Sequence, residues 1–126
     1  MLFTGDAGIS SLDRAVNEYE RIHGPIAAAP LSFFQAPHHG SHHNLGPTVL
    51  DRLLGTTGTW RTWTTAFISS AHASEKHPSP KVTNALGRRG AIVAATEGQS
   101  ILHSSPDVTR PGWERITPIG PLAEDD

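Results

Sequence analysis

Cysteine is absent from the 126 residues, and methionine and tyrosine occur once each. A chain without Cys forms no disulfide and no thiolate-ligated zinc site, so packing and hydrogen bonds must hold it together. The same absence leaves the redox compartment open, because proteins of either compartment can do without Cys. An excess of positive charge is also missing. Ten Lys and Arg face twelve Asp and Glu, for a net charge of -2, which argues against a strong autonomous nucleic-acid binder, whose phosphate contacts need clustered cations, and leaves only a local nucleic-acid role. No stretch approaches the ~18 apolar residues of a membrane span. Met1 to Asp6 has no basic start and no long apolar core of the kind that directs secretion. The chain therefore reads as soluble, without a membrane segment, and cytoplasmic by default. Its length fits one domain, which at this size buries roughly 68% of the surface exposed by the unfolded chain.

What stands out instead is histidine. There are eight, four of them within His38-His39-Gly40-Ser41-His42-His43. The pattern on either side places this cluster. Met1 to Thr4 reads as a short buried strand stopped by Gly5-Asp6. From Ile9, the residues Leu12, Ala15, Val16, Tyr19 and Ile22 recur at helical spacing, with Ser10 or Ser11 as cap and Gly24-Pro25 as the stop. Leu31 to Ala36, between Pro30 and Pro37, is short enough to favour a strand, and it feeds directly into the histidines. Pro47 opens a brief helix through Val49, Leu50, Leu53 and Leu54, closed by Gly55. Thr56 to Thr64, with Trp60 and Trp63, reads as a loop. Thr65 to Ser70 reads as a third strand ending at Ala71 to Pro78. Ser79 and Pro80 start a third helix that Gly87 or Gly90 stops. Ala91 to Thr96 and Ser100 to His103 are expected to form a hairpin around Glu97-Gly98-Gln99. Arg88 and Arg89 read as a solvated helix end that suits the dipole. Residues 106–126 form an extension in which Trp113 and Ile116 could add an edge strand and Glu124 to Asp126 are expected to be disordered.

Three strand–helix alternations imply an α/β fold with a largely parallel sheet and right-handed crossovers. The carboxyl ends of parallel strands share one edge, and ligands of such sheets bind outside that edge. Asp6, the His38 to His43 cluster and Ser70 to His77 each follow a strand, so these three segments are predicted to meet.

One carboxylate and several imidazoles, with no thiolate, match the ligand set of Zn, Mn or Fe in a hydrolytic centre. Asp6 could bridge two ions, His38 or His39 could ligate one, and a further His could touch the substrate or stabilise its leaving oxygen. Each feature also has a plain structural reading. Gly-Asp is a common turn pair, and paired histidines beside Gly in a loop are as readily a solvated surface. For His42, His43, His72 and His103, local hydrogen bonding is the favoured role.

The ordered set Leu2-Phe3-Thr4-Gly5-Asp6, Ala36-Pro37-His38-His39-Gly40-Ser41, and Ile68-Ser69-Ser70 followed by His77-Pro78 resembles the metallo-β-lactamase superfamily, especially its DNA-uptake competence-protein branch. The resemblance runs from about Leu2 to Leu102. It implies the C-terminal half of an αββα sandwich in residues 1–105, built as three βα units followed by a hairpin. It also implies that Asp6 is the bridging ligand and His39 the second-ion ligand, with His38 competing for that place or acting in catalysis. His77 would reach the substrate phosphate or leaving group, with Ser41 and Ser70 as supporting donors. Two ions, Zn or Mn, would serve the complete fold. Lys76 departs from the Gly that often precedes the last His-Pro in that family. The family's His-x-His-x-Asp-His motif and the single histidine after it are also missing.

The expectation is therefore the second half of a metal-dependent phosphodiesterase or nuclease-like hydrolase that uses metal-activated water. By itself it would be inactive and bind metal weakly, and it would be completed by an N-terminal half or partner subunit, with nucleic acid or another phosphoester as substrate. The alternative is a non-catalytic binding or assembly module derived from the same fold. A histidine-rich metal buffer is the third reading, and it leaves the order of the motifs unexplained.

Overall fold

The computed structural model describes residues 1–29, 31–58, 64–104, 110–114 and 116–124. Pro30, Trp60, Trp63, Pro106, Asp125 and Asp126 lie outside them, and so do the expectations attached to those residues. Among the described residues three α-helices alternate with three strands: α1 (Ile9–His23), β1 (Phe33–Gln35), α2 (Pro47–Leu54), β2 (Thr65–Ile68), α3 (Pro80–Gly87) and β3 (Ile92–Ala95). The strands form one parallel sheet in the order β1-β2-β3. Leu2 extends it on the β1 side by a single parallel bridge to Phe34, with its N–H donating to Phe33 O and its carbonyl accepting from Gln35 N–H, both at 2.9 Å.

Right-handed crossovers that step always in one direction put every helix on one face of the sheet. In keeping with this, α1 packs on α2 and α2 on α3. Phe34, Ala66 and Val93 are aligned across the strands by register, and they form the core with Leu12 and Val16 of α1, Leu50 and Leu53 of α2, and Leu86 of α3. Alternation sends Phe33, Thr65 and Ile92 to the opposite face. Among the described residues no helix covers that side. Phe33 is shielded there by Phe3, Phe67 and His103, with ring centroids 5.0–5.1 Å away, while Phe3 itself remains 68% exposed.

Several boundaries differ from expectation. Helix α1 begins at Ile9, so Ser10 and Ser11 fall inside its first turn, and Gly8 is the N-cap residue without a side-chain cap. Strand β2 ends at Ile68 rather than Ser70, because the next polar groups bond elsewhere: Ser69 O to the His39 ring and Ser70 N–H to Thr96 Oγ1. The hairpin does not form. Ser100 to His103 is no strand, and Ile119 N–H donates to Val93 O at 2.8 Å, so residue 119 takes a place on β3. Trp113 and Ile116 add no edge strand. Trp113 follows a turn and lies under the Arg110 guanidinium, 4.5 Å from its ring centroid. Arg89 is not solvated but buried, held by Asp51 of α2. No described helix is long and apolar enough to cross a membrane.

Candidate functional site

The sheet edge gathers its polar residues through backbone bonds. After Leu2, Thr4 is tied to β1 by Thr4 Oγ1 donating to Gln35 O at 2.7 Å. The chain then turns at Gly5, whose φ is 53°. The carbonyl of Gly5 accepts His38 N–H at 2.9 Å, so the turn that carries Asp6 is fastened to the histidine segment by main chain. Asp6 Oδ1 lies 3.7 Å from His38 Nδ1. Both side chains are open to solvent, Asp6 at 81% and His38 at 51% exposure, so this part of the site is a surface and not a crevice.

Past Pro37 the backbone takes three successive left-handed residues: His38 at φ 46°, His39 at φ 57° and Gly40 at φ 75°. Such a conformation costs a non-glycine residue roughly 1–2 kcal/mol. The turn is closed by Gly40 N–H to Pro37 O at 3.0 Å and Ser41 N–H to His38 O at 3.1 Å. Gly40 is required on two counts, since a Cβ there would sit 2.8 Å from Ile68 Cγ2. The strain thus places two adjacent imidazoles at the edge of the sheet, where strained backbone tends to mark function.

The two rings are held differently. His39 Nδ1 is 2.7 Å from Ser69 O. A carbonyl can only accept, so Nδ1 carries the proton and Nε2 is the basic nitrogen of the neutral ring. This is how metal-binding histidines are commonly oriented. The His38 ring lies 5.8 Å from that of His39, and the His77 ring lies 6.3 Å from that of His39. The predicted meeting of the three segments is therefore present: Asp6 beside His38, His38 beside His39, His39 beside His77.

His77 is the most enclosed of the set. Its Nδ1 is buried with no hydrogen-bond partner among the described residues, an uncommon condition for a ring nitrogen. Burial lowers its pKa below the ordinary 6.5, assisted by His39, His38, Lys76 and His42 nearby. Above the unfolded value the ring is neutral in both folded and unfolded chains. On acidification the unfolded chain takes up the proton first, so folding stability falls from about pH 6.5 downward and levels once the folded ring also protonates. Urea denaturation at pH 7.5, 6.5 and 5.5 is expected to show this loss, with a shallower loss for His77→Gln. An identical slope in the variant would assign the acid sensitivity to other groups.

The two serines expected to support the site behave unequally. Ser41 Oγ accepts His43 N–H at 3.3 Å, a local turn contact. Ser70 Oγ is buried without a partner among the described residues, while Ser70 O accepts from Thr96 Oγ1 at 2.9 Å. Thr96, just beyond β3, was missed by sequence reasoning. The rule that singled out the residues past the other strands would have found it, had β3 not been assigned to a hairpin. Outside the set, the His42 and His43 rings lie 3.9 Å apart, and His103 packs on Phe33 and Phe67.

Asp6 and the histidines supply donors of the right kind for Zn or Mn, but among the described residues no group of three or more His, Cys, Asp or Glu is placed to hold a metal ion. The donor chemistry fits, whereas the number of donors is that of a partial site. Comparison with known proteins finds no matching family model, no matching curated protein and no matching solved structure.

Proposed function

We propose that this chain supplies the second half of a metal-dependent hydrolase of the metallo-β-lactamase type, with a phosphodiester, nucleic acid first among them, as substrate. The observation that supports this most is the gathering of Asp6, His38, His39 and His77 at the carboxyl edge of a parallel sheet, with His39 oriented through Ser69 O. In this reading the metal, when bound, supplies an activated water and stabilises charge on the phosphate. Asp6 and His39 are its ligands from this chain, with His38 the alternative to His39. His77, whose pKa is lowered by burial, would hydrogen-bond a phosphoryl or leaving oxygen in this reading. The sheet face opposite the helices, where Phe3 and Ile92 are still exposed, is where the second β layer of a four-layer sandwich would pack, and a further segment would bring the remaining ligands.

The test is hydrolysis of bis-p-nitrophenyl phosphate and of a single-stranded oligonucleotide by the complete assembly, with Zn or Mn added. Activity is expected, and Asp6→Ala is expected to reduce it by about 100-fold or more, since a direct ligand matters at least as much as an outer-shell partner. No hydrolysis of either substrate by the complete assembly would remove the proposal.

The small number of donors favours a second reading, a binding or assembly module that has lost the chemistry. Stoichiometric Zn uptake by this chain, abolished in Asp6→Ala, would exclude that reading. Zn uptake unaffected by the substitution would support it.

A further inference from the structure

Residues 121–124 lie across the outer surface of α3 in a way that packing alone does not explain. The Asn84 side-chain amide grips the backbone of Leu122 at both ends: Leu122 N–H donates to Asn84 Oδ1 at 2.9 Å, and Asn84 Nδ2 donates to Leu122 O at 2.8 Å. This reproduces with one side chain the paired bonds that an extended peptide makes with a neighbouring strand. It reads no side chain at 122. Two residues on, Glu124 Oε1 accepts from Asn84 Nδ2 at 2.8 Å and from Arg88 Nη1 at 3.1 Å. Behind the carboxylate lies a cavity of about 400 Å³, to which His42, Leu50, Lys81 and Arg88 contribute. Arg89, also at its wall, is already neutralised by Asp51. Lys81 and Arg88 therefore give the rim its positive character, complementary to a carboxylate. The segment is anchored upstream by Ile119 on β3, so it spans from the sheet to α3.

We propose that this surface of α3 is a recognition site for an extended acidic peptide, in which Asn84 clamps one residue's backbone and Arg88 binds a carboxylate two residues further on. Residues 122–124 occupy it in cis, and an acidic segment of a partner protein would have to displace them. Affinity for such a partner is lowered by the fraction of molecules in which the strap is closed. The contact is partly exposed, with Arg88 at 55% and Glu124 at 33%, so its charged half is sensitive to salt. The site is independent of the hydrolase reading.

The experiment uses the full chain and a fluorescein-labelled, C-terminally amidated peptide with the sequence of residues 119–124, followed by anisotropy. The double variant Leu122→Pro/Glu124→Lys removes the cis N–H donor and replaces the carboxylate with a like charge, which opens the strap and leaves α3 intact. It is expected to bind the peptide at least about tenfold more tightly than the wild-type chain, as for a site closed about nine-tenths of the time. Adding Asn84→Ala should abolish the gain, and high salt should weaken it. Equal binding by wild type and double variant, or binding that survives Asn84→Ala, overturns the proposal. A second measurement stands independently of the variants' folding. Hydrogen exchange at the Leu122 amide is expected to be protected in the wild-type chain, and an unprotected amide there overturns the cis contact.

Discussion

Replacing Gly40 with Ala is expected to destabilise the chain by about 2–5 kcal/mol, a large effect for the addition of one methyl group. Two terms contribute. A left-handed backbone costs an L-residue roughly 1–2 kcal/mol, and overpacking a filled core adds about 1–3 kcal/mol. The second term has a specific source, because the new Cβ would meet Ile68 Cγ2 at 2.8 Å. That methyl is carried on a β-branched residue with little χ1 freedom, at the fully buried end of β2. The strand cannot yield without moving Ser69, whose carbonyl orients His39. Urea denaturation of Gly40→Ala, Ile68→Ala and the double variant checks this as a thermodynamic cycle. The double variant is expected to lose clearly less than the sum of the singles, since Ile68→Ala removes the methyl that clashes. Simple additivity would mean that only the backbone conformation matters at Gly40. A loss below about 0.5 kcal/mol would mean that the left-handed turn is not formed in solution.

Much of the framework was legible because its signals are local. Pro47 and Pro80 begin α2 and α3 as a proline at the first helical position should, and Gly24 and Gly55 follow α1 and α2 where a C-terminal stop was read. The meeting of Asp6, His38, His39 and His77 followed from topology, since the histidine segments come after parallel strands β1 and β2, although the buried strand expected over Met1 to Thr4 is reduced to the single Leu2 bridge, with Met1 and Phe3 exposed. What could not be read was decided by partners distant in sequence. Ser100 to His103 has the apolar pattern of a hairpin strand, yet β3 receives Ile119, and no local pattern marks that competition. Arg89 follows Arg88 at a helix end, and both look solvated. Only the packing of α3 against α2 puts Asp51 within reach of one and leaves the other to Glu124. The different tethering of the His38 and His39 rings belongs to the same class. It depends on a carbonyl thirty residues away, which sequence spacing does not reveal.

Removing the carboxylate of Asp51 is expected to cost more than removing the guanidinium it holds. Arg89 is 4% exposed, and donates from Nε and Nη2 to Asp51 Oδ1 at 2.9 and 2.6 Å and from Nη1 to Ala85 O at 2.9 Å. Asp51 is 39% exposed, so water solvates its carboxylate already. In Asp51→Ala the cation stays in the interior with Ala85 O as its one remaining partner among the described residues, and breaking a buried pair in this way costs up to about 3–5 kcal/mol. The partial exposure of Asp51 means that water can enter where the carboxylate was, which brings the expected loss nearer about 3 kcal/mol. In Arg89→Met the buried charge disappears with its desolvation, an unbranched side chain fills much of the space, and the remaining carboxylate faces solvent. The loss should then be about 1 kcal/mol. Denaturation midpoints of the two variants at equal m-value decide the order. The reverse order would assign the role of Arg89 to its packed stem and to the bond that it gives Ala85 O, with the ion pair between α2 and α3 contributing little.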